Sequence, residues 1–330
     1  MTKQIYIIFL SFYLSLALFS SIVFASQGTM IKTIPLDEYV TGFDIDFDGY
    51  IHIATTSGIK KYSKDGKYIK TYGNIDYANF PTGIRIGING NIYAPYLNNE
   101  ISIFNPEGEY IASITKFGAD NNKFKNIVDL AFDNSGDIYV ADNALHQIVK
   151  LNSNGQYLNK IGGPEHTTSY LSAAQSVVVD KQGIVYVTDI SADNSGIKIF
   201  APEGIFIKRI RYFQHAEPIL LNGSLKNWSC DFNSISLLNE SYILGCESND
   251  NIVHILPTSA LTTDNFIYVG RIGNNNENDK NLLDSPRIVR SDKDNKIYIL
   301  TQQGLQIFKW SGFPNTSSPK NLTSIFSILL

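Results

Sequence analysis

The feature that most constrains this chain is an internal repeat. Residues 124–163 read FKNIVDLAFDNSGDIYVADNALHQIVKLNSNGQYLNKIGG, and residues 79–118 and 171–213 carry the same parts in the same order. An apolar run meets a turn ending in glycine, at Gly90, Gly136 and Gly183. A second run of the Ile-Tyr-Val type follows, then a polar loop. A third run reaches another glycine turn, at Gly108, Gly155 and Gly204, and a fourth run closes the unit. Weaker copies occupy 38–73 and 228–273, and a partial copy covers 285–312. The second runs begin at Ile51, Ile92, Ile138, Val185, Tyr242 and Ile297, spaced 41 to 57 residues apart.

Each run is rich in β-branched and aromatic residues and is bounded by Gly, Asn and Asp, which marks short strands joined by tight turns. The second runs are apolar on both faces, as in Ile138-Tyr139-Val140. A strand buried on both sides loses its polar alternation. Four short strands per unit at this period predict the blades of a β-propeller. The fold class is therefore all-β, with six blades of four antiparallel strands. The last unit lacks its fourth strand, and Thr29–Ile34 has that strand's shape. It is expected to complete the last blade, closing the ring and removing two exposed edges.

The unit at 124–163 resembles an NHL repeat. Asp133, Gly136, Ile138, Tyr139, Val140, Ala141 and Asp142 match the first half of that motif, and His146, Gln147 and Ile148 the second. Leu145 and Gln147 stand where the family prefers Asn and Arg. The resemblance implies a six-bladed propeller over residues 29–312 and little about chemistry. Among propellers of this kind are lactonases, streptogramin lyase-like proteins and peptidyl-hydroxyglycine lyases, with a divalent metal or a His-centred site in the channel. This chain offers no His or Glu set that aligns with theirs.

The remaining segments bear on location. Met1-Thr2-Lys3 precedes an apolar run from Ile5 to Phe24, and Val23 and Ala25 fit a cleavage point after Ala25. Residues 1–25 are expected to be a signal peptide, which makes the protein secreted or extracytoplasmic; the alternative is an uncleaved anchor, since the run can span a bilayer. Residues 313–330 are expected to be a disordered tail. In an exported chain Cys230 and Cys246, which flank one hairpin, are expected to form a cross-strand disulfide. The sequons at Asn222, Asn227, Asn239, Asn315 and Asn321 then become candidate glycosylation sites.

In a propeller the residues opening the first strands face the channel. Asp44, Arg85, Asp129, Gln175, Asn233 and Arg287 are the candidate ligand-binding ring at its mouth. The loops between second and third strands are rich in carboxylates and amides. Asp142, Asp189, Asp193 and Asp250 are candidate loop oxygens for Ca²⁺, although ordinary turn chemistry explains them equally well. His146 and His52 read as repeat positions rather than ligands. No nucleophile elbow, zinc-helix or phosphate-loop motif is present, so no catalytic residue is assigned. A net charge of −4 with no basic cluster argues against nucleic acid. The expected function is non-catalytic binding of a protein, peptide or glycan by a monomer, through the loop-bearing face and with no cofactor. The alternatives are a metal-dependent channel enzyme and a membrane-anchored structural surface protein.

Overall fold

The computed structural model describes residues 28–73, 78–118, 122–163, 165–214, 227–261, 270–273 and 283–310. Strand β1 (Gly28–Ile34) leads into blade 1, made of β2 (Val40–Ile45), β3 (Ile51–Thr55), β4 (Gly58–Tyr62) and β5 (Tyr68–Tyr72). Blade 2 is β6 (Arg85–Ile86), β7 (Ile92–Pro95), β8 (Ile101–Phe104) and β9 (Tyr110–Ile114). Blade 3 is β10 (Ile127–Phe132), β11 (Ile138–Asp142), β12 (Gln147–Leu151) and β13 (Tyr157–Ile161). Blade 4 is β14 (Ala174–Val179), β15 (Val185–Asp189), β16 (Gly196–Phe200) and β17 (Phe206–Ile210). A separate hairpin, β18 (Tyr212–Gln214) and β19 (Asn227–Ser229), is inserted before blade 5. Blade 5 is β20 (Ser234–Leu238), β21 (Tyr242–Glu247), β22 (Ile252–Pro257) and β23 (Gly270–Gly273), with one helical turn at Thr258–Leu261. Blade 6 is β24 (Ile288–Ser291), β25 (Lys296–Thr301) and β26 (Gly304–Trp310).

The strand expected to close the ring does so. β1 lies antiparallel against β26, with Gly28 opposite Trp310 and Ile34 opposite Leu305. The architecture is a six-bladed β-propeller, and the innermost strands of neighbouring blades touch around the ring.

Its cohesion comes from the junctions between blades. Six apolar clusters fill them, each drawing on two neighbouring blades, as where Tyr72 of β5 meets Phe104 of β8. Removing such surface from water stabilises by roughly 25 cal/mol per Å². The glycine turns lock the same junctions. Gly108 has φ +83°, and a Cβ there would lie 2.7 Å from the Tyr72 ring of the preceding blade. Only glycine suits both the left-handed backbone and the close approach.

In four of the blades the first turn is held by an aspartate. Asp133 Oδ1 accepts the N–H groups of Ser135 and Asp137, while its Oδ2 accepts the hydroxyl of buried Tyr139 at 3.0 Å. Asp180 with Tyr186 and Asp292 with Tyr298 repeat this at 3.0 Å. Burial pushes the Tyr139 phenol up to about 12. In blade 1 the tyrosine is replaced by His52, which bridges Asp46 at 3.0 Å and the Tyr72 hydroxyl at 2.7 Å.

Cys230 and Cys246 correct the sequence reading. Both are buried free thiols, not a disulfide. Cys246 stands opposite Ser234 in the β20–β21 ladder and packs in the junction of blades 5 and 6. Cys230 precedes β20 and packs with Phe232 in the junction of blades 4 and 5. The two side chains thus belong to cores on opposite faces of one blade.

Candidate functional site

The inner strands decide what the channel contains. β2, β10 and β14 each carry a β-bulge near their start, between Val40 and Gly42, Ile127 and Asp129, and Ala174 and Ser176. A bulge adds one residue and resets which side chains point inward. Beyond it, two levels face the axis. Asp44, Arg85 and Arg290 stand opposite His52, Tyr93 and Tyr298. Asp129, Ser176 and Ser234 lie one level away, opposite Ala141, Thr188 and Cys246.

These residues form one hydrogen-bonded network. Arg85 grips Asp129 with two parallel bonds, Nε to Oδ1 at 2.9 Å and Nη2 to Oδ2 at 2.7 Å. Paired bonds of this kind are among the stronger ones proteins make. Asp129 Oδ2 also accepts the Ser176 hydroxyl at 2.6 Å and the Val177 N–H at 3.1 Å. Ser176 Oγ in turn accepts the Ile235 N–H at 3.1 Å. Arg290 donates from Nη1 to Ser234 Oγ at 3.0 Å and to the Val289 carbonyl at 2.7 Å, and its Nη2 lies 3.9 Å from Asp129. Asp44 accepts the Ile86 N–H across the junction of blades 1 and 2 at 2.9 Å.

The electrostatics follow from burial and pairing. Burial alone would raise the Asp129 carboxyl, but Arg85 and Arg290 outweigh it and hold it below the usual carboxylate range. Burial, reinforced by Arg85, pushes the Arg290 guanidinium down to about 10. Two carboxylates and two guanidiniums share the channel, so their charges cancel. Their hydrogen bonds run from blade to blade, which makes the channel centre a cross-brace between inner strands.

Of the expected ring, Asp44, Arg85 and Asp129 lie on the inner strands within this network. Gln175 is the bulged residue of β14, and its neighbour Ser176 takes the channel position. Asn233 is exposed and bonds Ser248 Oγ at 2.6 Å, outside the network. Arg287 sits over the exposed Tyr39 ring at 5.4 Å, on the loop-bearing face. The sequence reading missed Arg290, Ser176 and Ser234. Counting inward from the second-strand tyrosine would have found Arg290, because Arg85 and Arg290 hold the same register against Tyr93 and Tyr298.

The acidic loop positions do not converge. Asp142 is fully buried and accepts the N–H groups of Lys125, Asn126 and Leu145. Asp189, also fully buried, accepts the Ala173 and Ser191 N–H groups and pairs with Lys198 at 2.7 Å. Burial lowers the Lys198 ammonium against the opposing pull of Asp189. Asp193 is exposed and Asp250 half-buried. Among the described residues no three His, Cys, Asp or Glu side chains gather as a metal site would require. The loop amides staple blades instead. Asn99 Oδ1 accepts the Ile127 N–H, Asn143 donates to the Ala174 carbonyl, and Asn251 Oδ1 accepts the Ser285 N–H. His146, at φ 56°, donates from Nδ1 to the Leu171 carbonyl at 3.3 Å and tilts against Tyr170.

Of the sequons, Asn222, Asn315 and Asn321 lie outside the described residues, as do residues 1–25 and 313–330. Asn239 is exposed in the β20–β21 turn, and Asn227 opens β19.

No family model and no curated protein sequence matches the chain. Solved structures do. A streptogramin B lyase aligns at 13% identity and a TM-score of 0.54, covering 84% of this chain and 96% of that one. The WD40 repeats of RRP9 align at 11% identity and a TM-score of 0.56, covering 86% and 80%. The extracellular domain of BT4673 from B. thetaiotaomicron aligns at 14% identity and a TM-score of 0.52, covering 84% of this chain and 39% of that one. At such identities the likeness carries the fold alone, which enzymes and non-enzymes share.

Proposed function

We propose that this chain is an exported, NHL-like propeller that binds a protein, peptide or glycan partner through one face without catalysing a reaction on it. The observation that carries the reading is the contrast between the two faces. On one face blades 1 to 4 repeat short turns, 64–66, 106–108, 153–155 and 202–204, which lock onto the preceding blade. On the other face the connections differ from blade to blade. Residues 35–39, 115–126 and 162–173 and the β18–β19 hairpin all join an outer strand to the next inner one. A repeated ring does not need such variety, and loops that vary on a rigid scaffold are where recognition usually resides. Tyr39, Leu97 and Ile190 are exposed there.

A channel-centred enzyme is the weaker reading. Among the described residues the channel charges neutralise one another, with Asp129 already paired with Arg85 and Arg290, which does not favour a base or nucleophile there. Export rests on the N-terminal apolar run.

The test is a peptide and glycan array probed with the purified protein, followed by Tyr39→Ala and Ile190→Ala on the loop face and Ile205→Ala on the other. Binding lost with the first two and kept with the third is expected. Ligands that resist both loop-face changes, or that are chemically altered on contact, would overturn the reading.

A further inference from the structure

The six blades place one third-strand position in the same register, opposite the residue after the second-strand aromatic, for which blade 5 has Leu244. Its occupants are Lys60, Ser102, Val149, Lys198, His254 and Gln306. Where the occupant is lysine, its ammonium ends on a carboxylate at the blade junction. Lys60 meets Glu38 at 2.6 Å, and Lys198 meets Asp189 at 2.7 Å and the Tyr170 carbonyl. His254 meets Glu247 at 2.8 Å. In three of the six blades the position thus holds a side-chain nitrogen against an acid, while blades 3 and 6 place Val149 and Gln306 there.

Blade 2 places a serine there. Ser102 is too short to fill the slot, and its hydroxyl makes no hydrogen bond among the described residues. A cavity of about 380 Å³ remains, and Tyr96, Asn98, Glu100, Ser102, Phe104 and Tyr110 are among its lining residues. That volume lies within the roughly 300–1,000 Å³ of small-molecule pockets. The carboxylate is still supplied, from a new place. Glu100 stands opposite the end of the second strand, where blades 1 and 4 have Gly58 and Gly196. Asn98 Nδ2 is the only side-chain donor on it among the described residues, at 3.0 Å. Three of the lining side chains are aromatic, Tyr96, Phe104 and Tyr110, and a carboxylate beside aromatic rings is a combination that holds an alkylammonium.

We propose that the cavity between blades 1 and 2 binds a primary alkylammonium group, which takes the place that the lysine side chain fills within blades 1 and 4. Glu100 receives the ammonium, Phe104 and Tyr110 flank the alkyl chain, and Ser102 leaves the room. The source is either a free amine or the lysine side chain of a polypeptide. The inference is independent of the partner-binding face proposed above, because it concerns one junction and one functional group.

The experiment is a titration of the full chain, by calorimetry and by NMR, with n-butylammonium, with Nα-acetyl-lysine methylamide and with n-butanol as the neutral control. Saturable binding of an ammonium probe, with none by n-butanol, is expected. Glu100→Gln should weaken it by roughly tenfold, the scale of one charge-assisted hydrogen bond. Ser102→Lys should abolish it while the melting temperature holds, because the new side chain fills the slot as Lys60 and Lys198 do. Binding of both ammonium probes assigns the slot to lysine side chains, and binding of n-butylammonium alone assigns it to free amines. Equal binding of n-butanol, unchanged affinity in folded Glu100→Gln or Ser102→Lys, or no saturable binding by the wild type would overturn the proposal.

Discussion

Replacing Asp129 by Asn removes one charge and almost no volume, yet it should be among the most damaging single changes available. Five donors point at this carboxylate: Arg85 Nε and the Leu130 N–H at Oδ1, and Arg85 Nη2, the Ser176 hydroxyl and the Val177 N–H at Oδ2. An amide offers one acceptor oxygen. Whichever way it turns, its NH₂ faces at least two of those donors. Each unsatisfied buried donor costs about 1–3 kcal/mol. Arg85, itself only 8% exposed, also loses its countercharge. Breaking a buried pair from one side typically costs about 3–5 kcal/mol, and that is the expected destabilisation. The assay is urea unfolding followed by circular dichroism and fluorescence, with Arg85→Met and the double variant completing a cycle. The double variant should be more stable than the sum of the single losses implies. A cost below about 1 kcal/mol for Asp129→Asn, or strict additivity in the cycle, would refute the view that the channel charges brace the ring.

Two further expectations follow from the same contacts. The Asp129 carboxyl is held below its unfolded value, so its contribution is present above about pH 4 and is lost as pH falls through the folded value. Unfolding midpoints should therefore drop on acidification below about pH 4, and Asp129→Asn should flatten that limb; an unchanged acid limb in the variant would place the titration elsewhere. Cys230 and Cys246 should resist a thiol reagent in the native protein, because burial raises both thiols, and both should react in denaturant without reductant; failure to react there would mean that they are bonded.

Much of the architecture was legible because each blade restates it. The glycine turns, the doubly apolar second strands and the stray strand at Thr29–Ile34 led to the ring and its closure. The channel was legible only in part. Asp44, Arg85 and Asp129 stand in the inner-strand network, but alternation along β14 is interrupted by its bulge, which shifts the inward residue from Gln175 to Ser176. On β24 the eye stops at Arg287, while register against Tyr298 selects Arg290. The cysteines were misjudged for a related reason. Proximity in a hairpin does not say which face of the blade a side chain joins, and here the two join different cores. The cavity of blade 2 gives no sequence signal of its own. Ser102 becomes informative only when the registers align it with Lys60 and Lys198.

The pairing of β1 with β26 joins strands from opposite ends of the described fold. At about 5–20 residues per second, synthesis leaves β1 without its partner for some tens of seconds. Throughout that interval β26's place beside β1 is vacant, and β1 is free to pair with another chain. Two molecules that exchanged β1 would each complete the other's sixth blade with the same contacts, so the device that finishes the monomer also opens a route to a swapped dimer. The nascent protein is therefore exposed to its neighbours until β26 emerges, and crowded synthesis, more than heat, is the condition that would reveal it.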